Sequence, residues 1–460
     1  MLNDTIVAIS TPLASAGIGI IRISGDESLN IIKKIFVPKR EIEDNKIISH
    51  TLHYGHIIDT KFNRTLDEVL VSYMLAPNTY TKEDVIEINA HGGLVVMQSI
   101  LSLVLRNGAR IAEPGEFTKR AFLNGRIDLS QAEAVMDIIH SKTELALNAS
   151  VNQLSGNIKN EIEDLKKQVL DILAHIEASI DYPEYDVGEL AFSTIKENLV
   201  GMSERLTKLI NSYDNGKIIR EGIKTVIIGR PNVGKSSLLN ALLKEQRAIV
   251  TNIPGTTRDS LEEYMNVHGI PLKLIDTAGI RLTEDVIEKL GVDRSKAHIE
   301  DADLVLFVVD SSEPLTQEDD EIMDLIRNQK VIILMNKSDL EIQVKKEHLK
   351  EHLRDMIIIE TSATQFEGLD RIEDSIKKMF MQGSVQIENE TVIHNIRHKQ
   401  SLERAFESAM LVVESINMGM PEDCWAIDLH SSYEHLSEIT GDHVTDDVIK
   451  KIFSQFCLGK

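Results

Sequence analysis

The sequence predicts a multidomain α/β and α protein with an N-terminal α+β domain, a helical bundle domain, and an inserted α/β domain whose sheet is doubly wound and mostly parallel. Three observations lead to this fold class. Short β-like runs fill residues 1–118. A helical apolar period covers 119–216 and returns in 384–460, and apolar strands alternate with amphipathic helices in 217–383. The length of 460 residues agrees, because it exceeds one ordinary domain.

The N-terminal segment mixes strand-like runs with turns. The runs are Thr5–Ile9, Gly19–Ile23 and Val69–Met74, and glycine and proline punctuate them at Pro77-Asn78 and at His91-Gly92-Gly93. This pattern predicts a mixed α+β domain.

The next segment has the period of long amphipathic helices. Apolar residues recur at alternating spacings of four and three, at Ile158, Ile162, Leu165, Val169, Ile172 and Ile176. The pattern repeats at Leu199, Met202, Leu206 and Leu209. Asp181-Tyr182-Pro183 separates the two helices, because proline disfavours helix in the residue before it. The stripes are interpreted as the core of a bundle rather than an exposed coiled coil.

Residues 217–383 have the pattern of βαβ units. The predicted strands are Thr225–Ile228, Leu272–Ile275, Leu304–Val309, Val331–Met335 and Met356–Ile359. The helical period then returns at Leu402, Phe406, Ala409, Val413 and Ile416. The α/β domain is therefore predicted to interrupt a helical domain.

Composition limits the class of protein. Hydrophobic residues make up 42% and charged residues 27% of the chain, which argues against global disorder. No run reaches the roughly 18 apolar residues of a membrane span, and the first eight residues lack the basic stretch of a secretory signal. The two cysteines, Cys424 and Cys457, suggest neither a disulfide framework nor a zinc site. We expect a cytoplasmic protein in a reducing compartment.

The net charge of −23 bears on nucleic-acid binding. A surface that binds phosphates is usually basic, so the chain as a whole would repel tRNA or DNA. Short basic stretches occur at Lys33-Lys34, Lys39-Arg40 and 397–399, and such runs are usually solvated faces. If RNA is a substrate, we expect a second protein to supply much of the binding surface.

A phosphate-binding motif follows the strand Thr225–Ile228. Residues 229–236 read Gly-Arg-Pro-Asn-Val-Gly-Lys-Ser and open a predicted helix. Glycines let backbone N–H groups surround phosphates, Lys235 would reach the β- and γ-phosphates, and the Ser236 hydroxyl would bind Mg²⁺. The predicted nucleotide-binding residues here are Asn232, Val233, Gly234, Lys235, Ser236 and Ser237.

Two further motifs complete the predicted nucleotide site, and the second of them indicates that the nucleotide is GTP. Asp276, Thr277, Ala278 and Gly279 follow the next strand, where Asp276 can hold the Mg²⁺ shell and the Gly279 N–H can meet the γ-phosphate. Residues 336–339 read Asn-Lys-Ser-Asp. A carboxylate there accepts two hydrogen bonds from the guanine edge, which adenine cannot donate. The predicted guanine-side residues are Asn336, Lys337, Asp339, Ser362 and Ala363.

A polar loop lies between these motifs, where the first switch loop of a GTPase belongs. Its predicted nucleotide-binding residues are Thr251, Asn252, Ile253, Pro254, Gly255, Thr256 and Thr257, and Thr257 is the expected second hydroxyl on Mg²⁺. Many GTPases place glutamine directly after Asp-x-x-Gly to orient the attacking water. Ile280 stands there and cannot do so, and the acidic residues Glu284, Asp285 and Glu288 follow.

The chain closely resembles the bacterial and organellar tRNA-modification GTPase family called MnmE or TrmE, over essentially its whole length. The resemblance rests on Asp4–Ala8, Ile21–Gly25, Glu113–Phe117, Arg120–Gly125, Gly255–Asp259 and the C-terminal Cys457-Leu458-Gly459-Lys460. Leucine at 458, where isoleucine is usual, is a mild departure. The terminal motif, joined to this N-terminal domain, separates the family from other GTPases of translation.

The resemblance implies an N-terminal folate-binding, dimer-forming domain, a helical domain and an inserted P-loop G domain. It implies a homodimer that acts with a flavin-containing partner, MnmG or GidA, which would carry FAD and much of the tRNA contact. Together they would install a carboxymethylaminomethyl-type group on carbon 5 of the wobble uridine of certain tRNAs. GTP hydrolysis with Mg²⁺ and K⁺ would be required, and 5-formyltetrahydrofolate or a related tetrahydrofolate would supply the one-carbon unit.

The resemblance also assigns residues. Potassium would be bound by Asn232, Thr251, Ile253 and Thr256, adding positive charge where an arginine finger acts in other GTPases. Glu288 matches the glutamate that orients water. The folate-contacting positions are Arg22, Glu87, Arg126 and Lys460, and position 126 holds lysine or arginine in relatives, so charge is kept while hydrogen-bond geometry differs.

Cys457 is assigned a catalytic role near the folate, although its chemistry, as nucleophile, acid or structural group, stays open. A lone cysteine is more often a buried small hydrophobe, and Cys424 is interpreted that way. Two alternatives to the tRNA-modifying GTPase stay open at this point: a GTP-gated ribosome assembly factor, and a nucleotide-switched scaffold.

Overall fold

The computed structural model describes residues 4–40, 47–181, 189–245, 263–275, 298–344, 346–347, 349, 356–381, 391–457 and 459. These residues form two compact units, of which the first contains residues 4–136 and 436–459 and the second contains residues 137–435. None of the helices in the described ranges is long and apolar enough to cross a membrane.

The described strands are β1 (Ile6–Ile9), β2 (Ala16–Ser24), β3 (Phe36–Pro38), β4 (Thr51–Asp59), β5 (Arg64–Met74), β6 (Val85–Gly92), β7 (Arg110–Ile111), β8 (Ile223–Ile228), β9 (Glu263–Val267), β10 (Ile270–Ile275), β11 (Leu304–Asp310), β12 (Val331–Asn336) and β13 (Ile357–Glu360). The described helices are α1 (Ser28–Ile35), α2 (Leu94–Arg106), α3 (Glu116–Leu123), α4 (Leu129–His140), α5 (Glu144–Leu154), α6 (Asn157–Asp181), α7 (Glu189–Asn211), α8 (Tyr213–Glu221), α9 (Lys235–Glu245), α10 (Gln317–Ile326), α11 (Leu369–Phe380), α12 (Ile396–Asn417), α13 (Glu422–Thr440) and α14 (Asp446–Phe453).

The first unit is built on a seven-stranded sheet in the order β3-β4-β5-β6-β2-β1-β7. Neighbouring strands are antiparallel except for β1 and β7, which are parallel. One sheet face is apolar, because alternate residues such as Ile21 and Ile23 point to the same side and pack with α1 and α2. The predicted mixed α+β character of the N-terminal segment is confirmed.

The C-terminal residues belong to this first unit. Phe453 and Phe456 pack with Ala121 of α3 and with Ile127 in one buried cluster. Gly115 precedes α3 with a φ of +66°, and a Cβ there would lie 2.8 Å from the Phe453 carbonyl oxygen. The close backbone approach brings the last residues of the chain to the N-terminal sheet.

The helical part of the second unit contains the predicted long helices. All six residues of the first apolar stripe are buried along α6, and Leu199, Met202, Leu206 and Leu209 are buried along α7. Helix α7 packs against α12, although the whole α/β segment lies between them in sequence. The interpretation of the stripes as bundle core is confirmed.

The α/β part of the second unit is a six-stranded sheet in the order β13-β12-β11-β8-β10-β9. Only the β9–β10 pair is antiparallel among these strands. Strand β11 is buried on both faces, with Leu306 in one apolar cluster beside α9 and α11, and Phe307 in another beside α10. Because four neighbouring pairs are parallel, the carboxyl ends of β8, β10, β11, β12 and β13 share one edge of the sheet.

The segments that enter and leave this α/β part meet at one buried carboxylate. Asp137 at the end of α4 accepts from Arg220 Nε at 2.7 Å and lies 3.2 Å from His394 Nε2. Burial by itself raises the pKa of Asp137, but His394 and Arg220 outweigh it and hold that pKa below its usual range. The charged cluster ties α8, which leads into β8, to the chain that leads into α12.

Candidate functional site

The phosphate-binding motif forms a tight turn between β8 and α9. Gly229 has a φ of +150° and Gly234 a φ of +98°, conformations that favour glycine. A Cβ on Gly229 would lie 2.3 Å from the Val308 carbonyl oxygen of β11. The glycines are therefore required by backbone conformation and by close approach.

Lys235 lies across this turn. Its Nζ donates to the carbonyl oxygens of Gly229 at 2.8 Å and Arg230 at 2.6 Å. Burial lowers the pKa of Lys235 below its usual range, because desolvation disfavours the charged form. A phosphate group would offer the ammonium an anionic partner in place of these neutral carbonyls.

The other predicted residues of the motif surround Lys235. Asn232, Ser236 and Ser237 are exposed, whereas Val233 is buried under the turn. Asn232 has a φ of +64°, an uncommon conformation for a residue other than glycine. Exposed side chains at the start of α9 lie where a nucleotide and its metal could reach them.

Asn336 joins the three described parts of the predicted guanine-nucleotide site. Its Nδ2 donates to the Val233 carbonyl at 2.8 Å, and its Oδ1 accepts from the Ala363 N–H at 3.2 Å. A Cβ on Gly234 would lie 2.2 Å from the same Nδ2. The structure thus brings together the phosphate turn, the end of β12 and the segment after β13.

Asp339 lies at the open side of this assembly. Its side chain is exposed, and Oδ1 accepts from Ser362 Oγ at 2.6 Å. An ionised carboxylate has about four acceptor sites, so the hydrogen bond from Ser362 leaves Asp339 able to accept from a pair of donors. Such a pair is present on guanine and absent from adenine.

Lys337 is held by a carboxylate that the sequence does not single out. Its Nζ lies 2.5 Å from Asp310 Oδ2, and Asp310 is 3% exposed. Burial by itself raises the pKa of Asp310, but hydrogen bonds from Lys337 and Ser312 hold it below its usual range. The sequence could have indicated Asp310 only by its position, because it ends β11 directly opposite Asn336 at the end of β12.

We expect Asp339→Asn to weaken GTP binding by roughly 5- to 100-fold, on the scale of bidentate base recognition. The substitution turns one acceptor into a donor that faces the guanine donors. Equilibrium binding of a labelled GTP analogue measures the effect, with Glu341→Gln, an exposed neighbour, as the matched control. Equal affinities of Asp339→Asn and the wild type would contradict the assignment.

The remaining nucleotide-site predictions lie outside the described residues. They are Thr251, Asn252, Ile253, Pro254, Gly255, Thr256, Thr257, Asp276, Thr277, Ala278, Gly279 and Glu288.

A second predicted cluster is half-buried on the face of the N-terminal sheet opposite Ile21 and Ile23. Arg22 on β2 donates from Nε to Glu87 Oε1 on β6 at 2.8 Å, and from Nη1 to the Gly459 carbonyl at 3.1 Å. Ser10 Oγ donates to the same carbonyl at 3.1 Å. A Cβ on Gly459 would lie 2.5 Å from the Ile9 carbonyl oxygen, so only glycine permits this contact of the C-terminal segment with the sheet.

Aromatic rings complete the cluster. Arg126 lies 4.7 Å and Arg22 5.8 Å from the centroid of the Tyr80 ring, and Arg22 lies 5.6 Å from that of Phe117. Arg22, Glu87 and Arg126 are thus brought together, while Lys460 lies outside the described residues. The sequence does not single out Tyr80, because no local motif surrounds it.

The two cysteines differ in exposure. Cys457 is exposed, and its carbonyl accepts from the Gly115 N–H at 3.4 Å. Cys424 is only half-buried, so the expectation of a buried small hydrophobe is wrong in degree. It lies in the first turn of α13 beside exposed Asp423, where solvent reaches the helix end.

Comparisons with known proteins identify the family of this chain. The family model described as GTP-binding protein TrmE N-terminus matches residues 5–126, and the MnmE helical domain model matches residues 129–457. The chain is 53% identical to the tRNA modification GTPase MnmE of Thermoanaerobacter pseudethanolicus over 100% of each chain. It is 50% identical to the tRNA modification GTPase MnmE of Streptococcus gordonii over 99% of each.

Among solved structures, the G domain of the T. maritima FeoB iron transporter aligns at 29% identity. The alignment covers 34% of this chain and 97% of that one, with a TM-score of 0.26. The full-length relatives decide the matter: the chain belongs to the MnmE family of tRNA modification GTPases, and it is a GTPase that acts in tRNA modification.

Proposed function

We propose that this GTPase is stimulated by K⁺ and works with a flavin-containing partner of the MnmG/GidA type. Together they place a carboxymethylaminomethyl-type group on carbon 5 of the wobble uridine of certain tRNAs. The one-carbon unit comes from 5-formyltetrahydrofolate or a related tetrahydrofolate. The observation that carries the proposal is the contact of the C-terminal Gly459 carbonyl with Arg22, next to Glu87.

The chemistry of this cluster fits a folate. A folate combines a flat ring that carries N–H donors with an anionic tail. Glu87 supplies an acceptor for ring donors, and the Tyr80 ring supplies a stacking surface. Arg126, on the same ring, supplies a cation for the tail. When bound, the folate supplies the one-carbon unit, while these side chains orient it and the neighbouring segment presents the exposed Cys457.

The phosphate turn fits GTP with Mg²⁺. Lys235 holds two carbonyl partners that phosphate oxygens could replace, and Ser236 is exposed at the start of α9. Ser236 and Thr257 would supply the hydroxyl ligands of Mg²⁺. For K⁺, the exposed Asn232 would act with Thr251, Ile253 and Thr256. The cation then lowers the cost of charge developing on the transferred phosphoryl group.

GTP hydrolysis is expected to run about tenfold or more faster in K⁺ than in Na⁺ at equal ionic strength, because a cation beside the phosphates stabilises the transition state. Asn232→Ala should abolish the preference, since the amide oxygen is a proposed ligand. Asn240→Ala, an exposed asparagine later in α9, is the matched control. Steady-state hydrolysis in the two salts measures the preference, and rates that ignore the cation would remove K⁺ from the proposal.

The domain organisation proposed with this function has four segments. Residues 1–118 form the folate-binding domain that joins two chains in a homodimer, and 217–383 form the G domain with its doubly wound sheet. Residues 119–216 and 384–460 together form the helical domain, of which 119–136 and 436–459 lie in the first compact unit. The proposed location is the cytoplasm, where tRNA and reduced thiols occur.

Nucleoside analysis of tRNA tests the function as a whole. Cells that lack the protein should lose the wobble uridine modification, and a gene encoding Arg22→Gln should not restore it, whereas Arg40→Gln should. Isolated Arg22→Gln should also lose 5-formyltetrahydrofolate binding while it still hydrolyses GTP. Normal wobble uridine in the deleted cells would instead favour a GTP-gated ribosome assembly factor or a nucleotide-switched scaffold.

A further inference from the structure

The hairpin that joins β4 and β5 carries an exposed aromatic ring with two cations close to it. Phe62 is 66% exposed at the tip of this hairpin. Lys61 Nζ lies 5.6 Å and Arg106 Cζ 5.9 Å from the centroid of its ring. Single exposed apolar residues are common, so the combination of ring and cations is the informative feature.

A buried carboxylate holds the tip in shape. Asp59 accepts from the Lys61 N–H at 3.2 Å and from Arg106 Nη2 at 2.5 Å. The hydrogen bond from Arg106 is the largest influence on the pKa of Asp59 and holds it below its usual range. Asp59 therefore positions Arg106 beside Phe62 and presents little negative charge to solvent.

Two more exposed cations lie at the same end of the sheet. Arg64, the first residue of β5, lies opposite Asp59 in the strand register of the hairpin. Lys34 is in the last turn of α1, two residues before Phe36, which pairs with Ile57 next to the tip. We call Lys34, Lys61, Phe62, Arg64 and Arg106 the basic tip.

The nearest carboxylates along β5 are engaged elsewhere. Asp67 lies opposite Ile57 and binds His91, whose Nδ1 is 2.7 Å from Oδ1. Glu68 accepts from the Tyr54 hydroxyl. At the basic tip itself, four cations stand against one carboxylate, that of Asp59, which leaves a local excess of positive charge.

The charge along the chain makes this excess stand out. Residues 1–136 contain 14 lysines and arginines against 16 aspartates and glutamates, a net charge of −2. Residues 137–460 contain 36 against 57, a net charge of −21. A polyanion is repelled least by the N-terminal segment, and there the basic tip offers it cations.

We propose that the basic tip binds the tRNA substrate directly, with its cations on backbone phosphates and Phe62 as a stacking surface for an unpaired base. Aromatic rings flanked by cations serve this purpose in proteins that bind single-stranded RNA. An acidic protein surface would be attracted by the cations but would not need the exposed ring. The inference goes beyond the proposed function, because the family resemblance assigns much of the tRNA contact to the flavin-containing partner.

The test of the cations compares two double variants of the full-length chain with equal loss of charge. Lys61→Gln with Arg64→Gln removes two cations of the basic tip, and Lys39→Gln with Arg40→Gln removes two exposed cations at the far end of β3. We measure tRNA affinity over a series of salt concentrations. The tip variant should bind about tenfold more weakly and lower the salt slope by roughly one for each phosphate that is no longer neutralised, while the control stays near wild type.

The test of the ring uses three substitutions at one position. Phe62→Ala and Phe62→Leu should each weaken tRNA binding by roughly 5- to 100-fold, whereas Phe62→Trp should keep it, because stacking needs an aromatic face. GTP hydrolysis and 5-formyltetrahydrofolate binding, measured on the same proteins, should not change. If the wild type lacks those activities, the proposed function is wrong, but the effect of the Phe62 substitutions on tRNA binding can still be measured.

Two outcomes would overturn the inference. In one, the tip and control double variants bind tRNA equally well. In the other, the tip double variant keeps its tRNA affinity while its affinity for the flavin-containing partner falls, which would make the tip a protein-binding surface.

Discussion

Gly234→Ala is expected to weaken GTP binding by about 100-fold or more. A side chain at a φ of +98° is strained, which costs about 1–3 kcal/mol. The new Cβ would also lie 2.2 Å from Asn336 Nδ2. Because Asn336 links the phosphate turn to Ala363, its displacement would disturb both ends of the nucleotide site. The loss of one or two hydrogen bonds there, added to the backbone strain, accounts for the expected loss of affinity of about 100-fold.

Two alanine variants separate the causes of that loss. Gly419 has a φ of +68° with nothing within 4 Å of a Cβ, so Gly419→Ala adds strain alone. Gly201 lies in α7 with open space around it, so Gly201→Ala adds neither backbone strain nor a close contact. Labelled-nucleotide binding and thermal unfolding should single out Gly234→Ala as the variant that stays folded but binds GTP poorly. Wild-type affinity in that variant would mean that the Gly234–Asn336 approach does not support the site.

Glu288→Ala is expected to slow GTP hydrolysis by about 100-fold or more while GTP binding stays nearly intact, on the scale of a general base's contribution to the rate. Ile280 cannot orient water, so another polar group must do so, and Glu288 lies twelve positions after Asp276. A group that positions water acts mainly in the transition state. Its removal therefore reduces kcat and leaves the ground-state interactions of Lys235 and Asp339 unchanged.

Single-turnover hydrolysis beside equilibrium binding, both in K⁺ buffer, distinguishes the two effects. Glu284→Ala and Asp285→Ala are the matched controls, because each removes one carboxylate from the same acidic stretch. Hydrolysis at the wild-type rate by Glu288→Ala would exclude Glu288 as the residue that orients water. The two controls would then become the next candidates.

Secondary structure was predicted best where burial imposes a continuous apolar run or a long apolar stripe. The apolar run Leu304–Val309 corresponds to β11, because a strand buried on both faces excludes polar residues. The stripe from Ile158 to Ile176 corresponds to α6, because one helix face packs inward. Strand ends were less predictable: β5 begins at Arg64, five residues before the predicted Val69, since its polar start is exposed.

The nucleotide-site residues that lie in short sequence motifs were predictable, whereas the residues that hold them in place from other strands were not. Lys235 and Asp339 lie in motifs whose residues are neighbours in sequence, and such motifs can be read directly. Asp310 supports Lys337 from an adjacent strand, and no short motif contains both residues. Tyr80 likewise meets Arg22 and Arg126 only through the fold.

The sequence by itself determined the five parallel strands of the α/β segment, the long helices α6 and α7, the preference for guanine, and membership of a family of tRNA modification GTPases. Each of these depends on residue identities at short or repeated spacings, which chain connectivity preserves. Only the tertiary structure decided that Gly459 meets Arg22 across 437 positions, and that Arg106 lies beside Phe62. Contacts of this kind follow from strand pairing and from the close approach of backbones, which composition and periodicity do not encode.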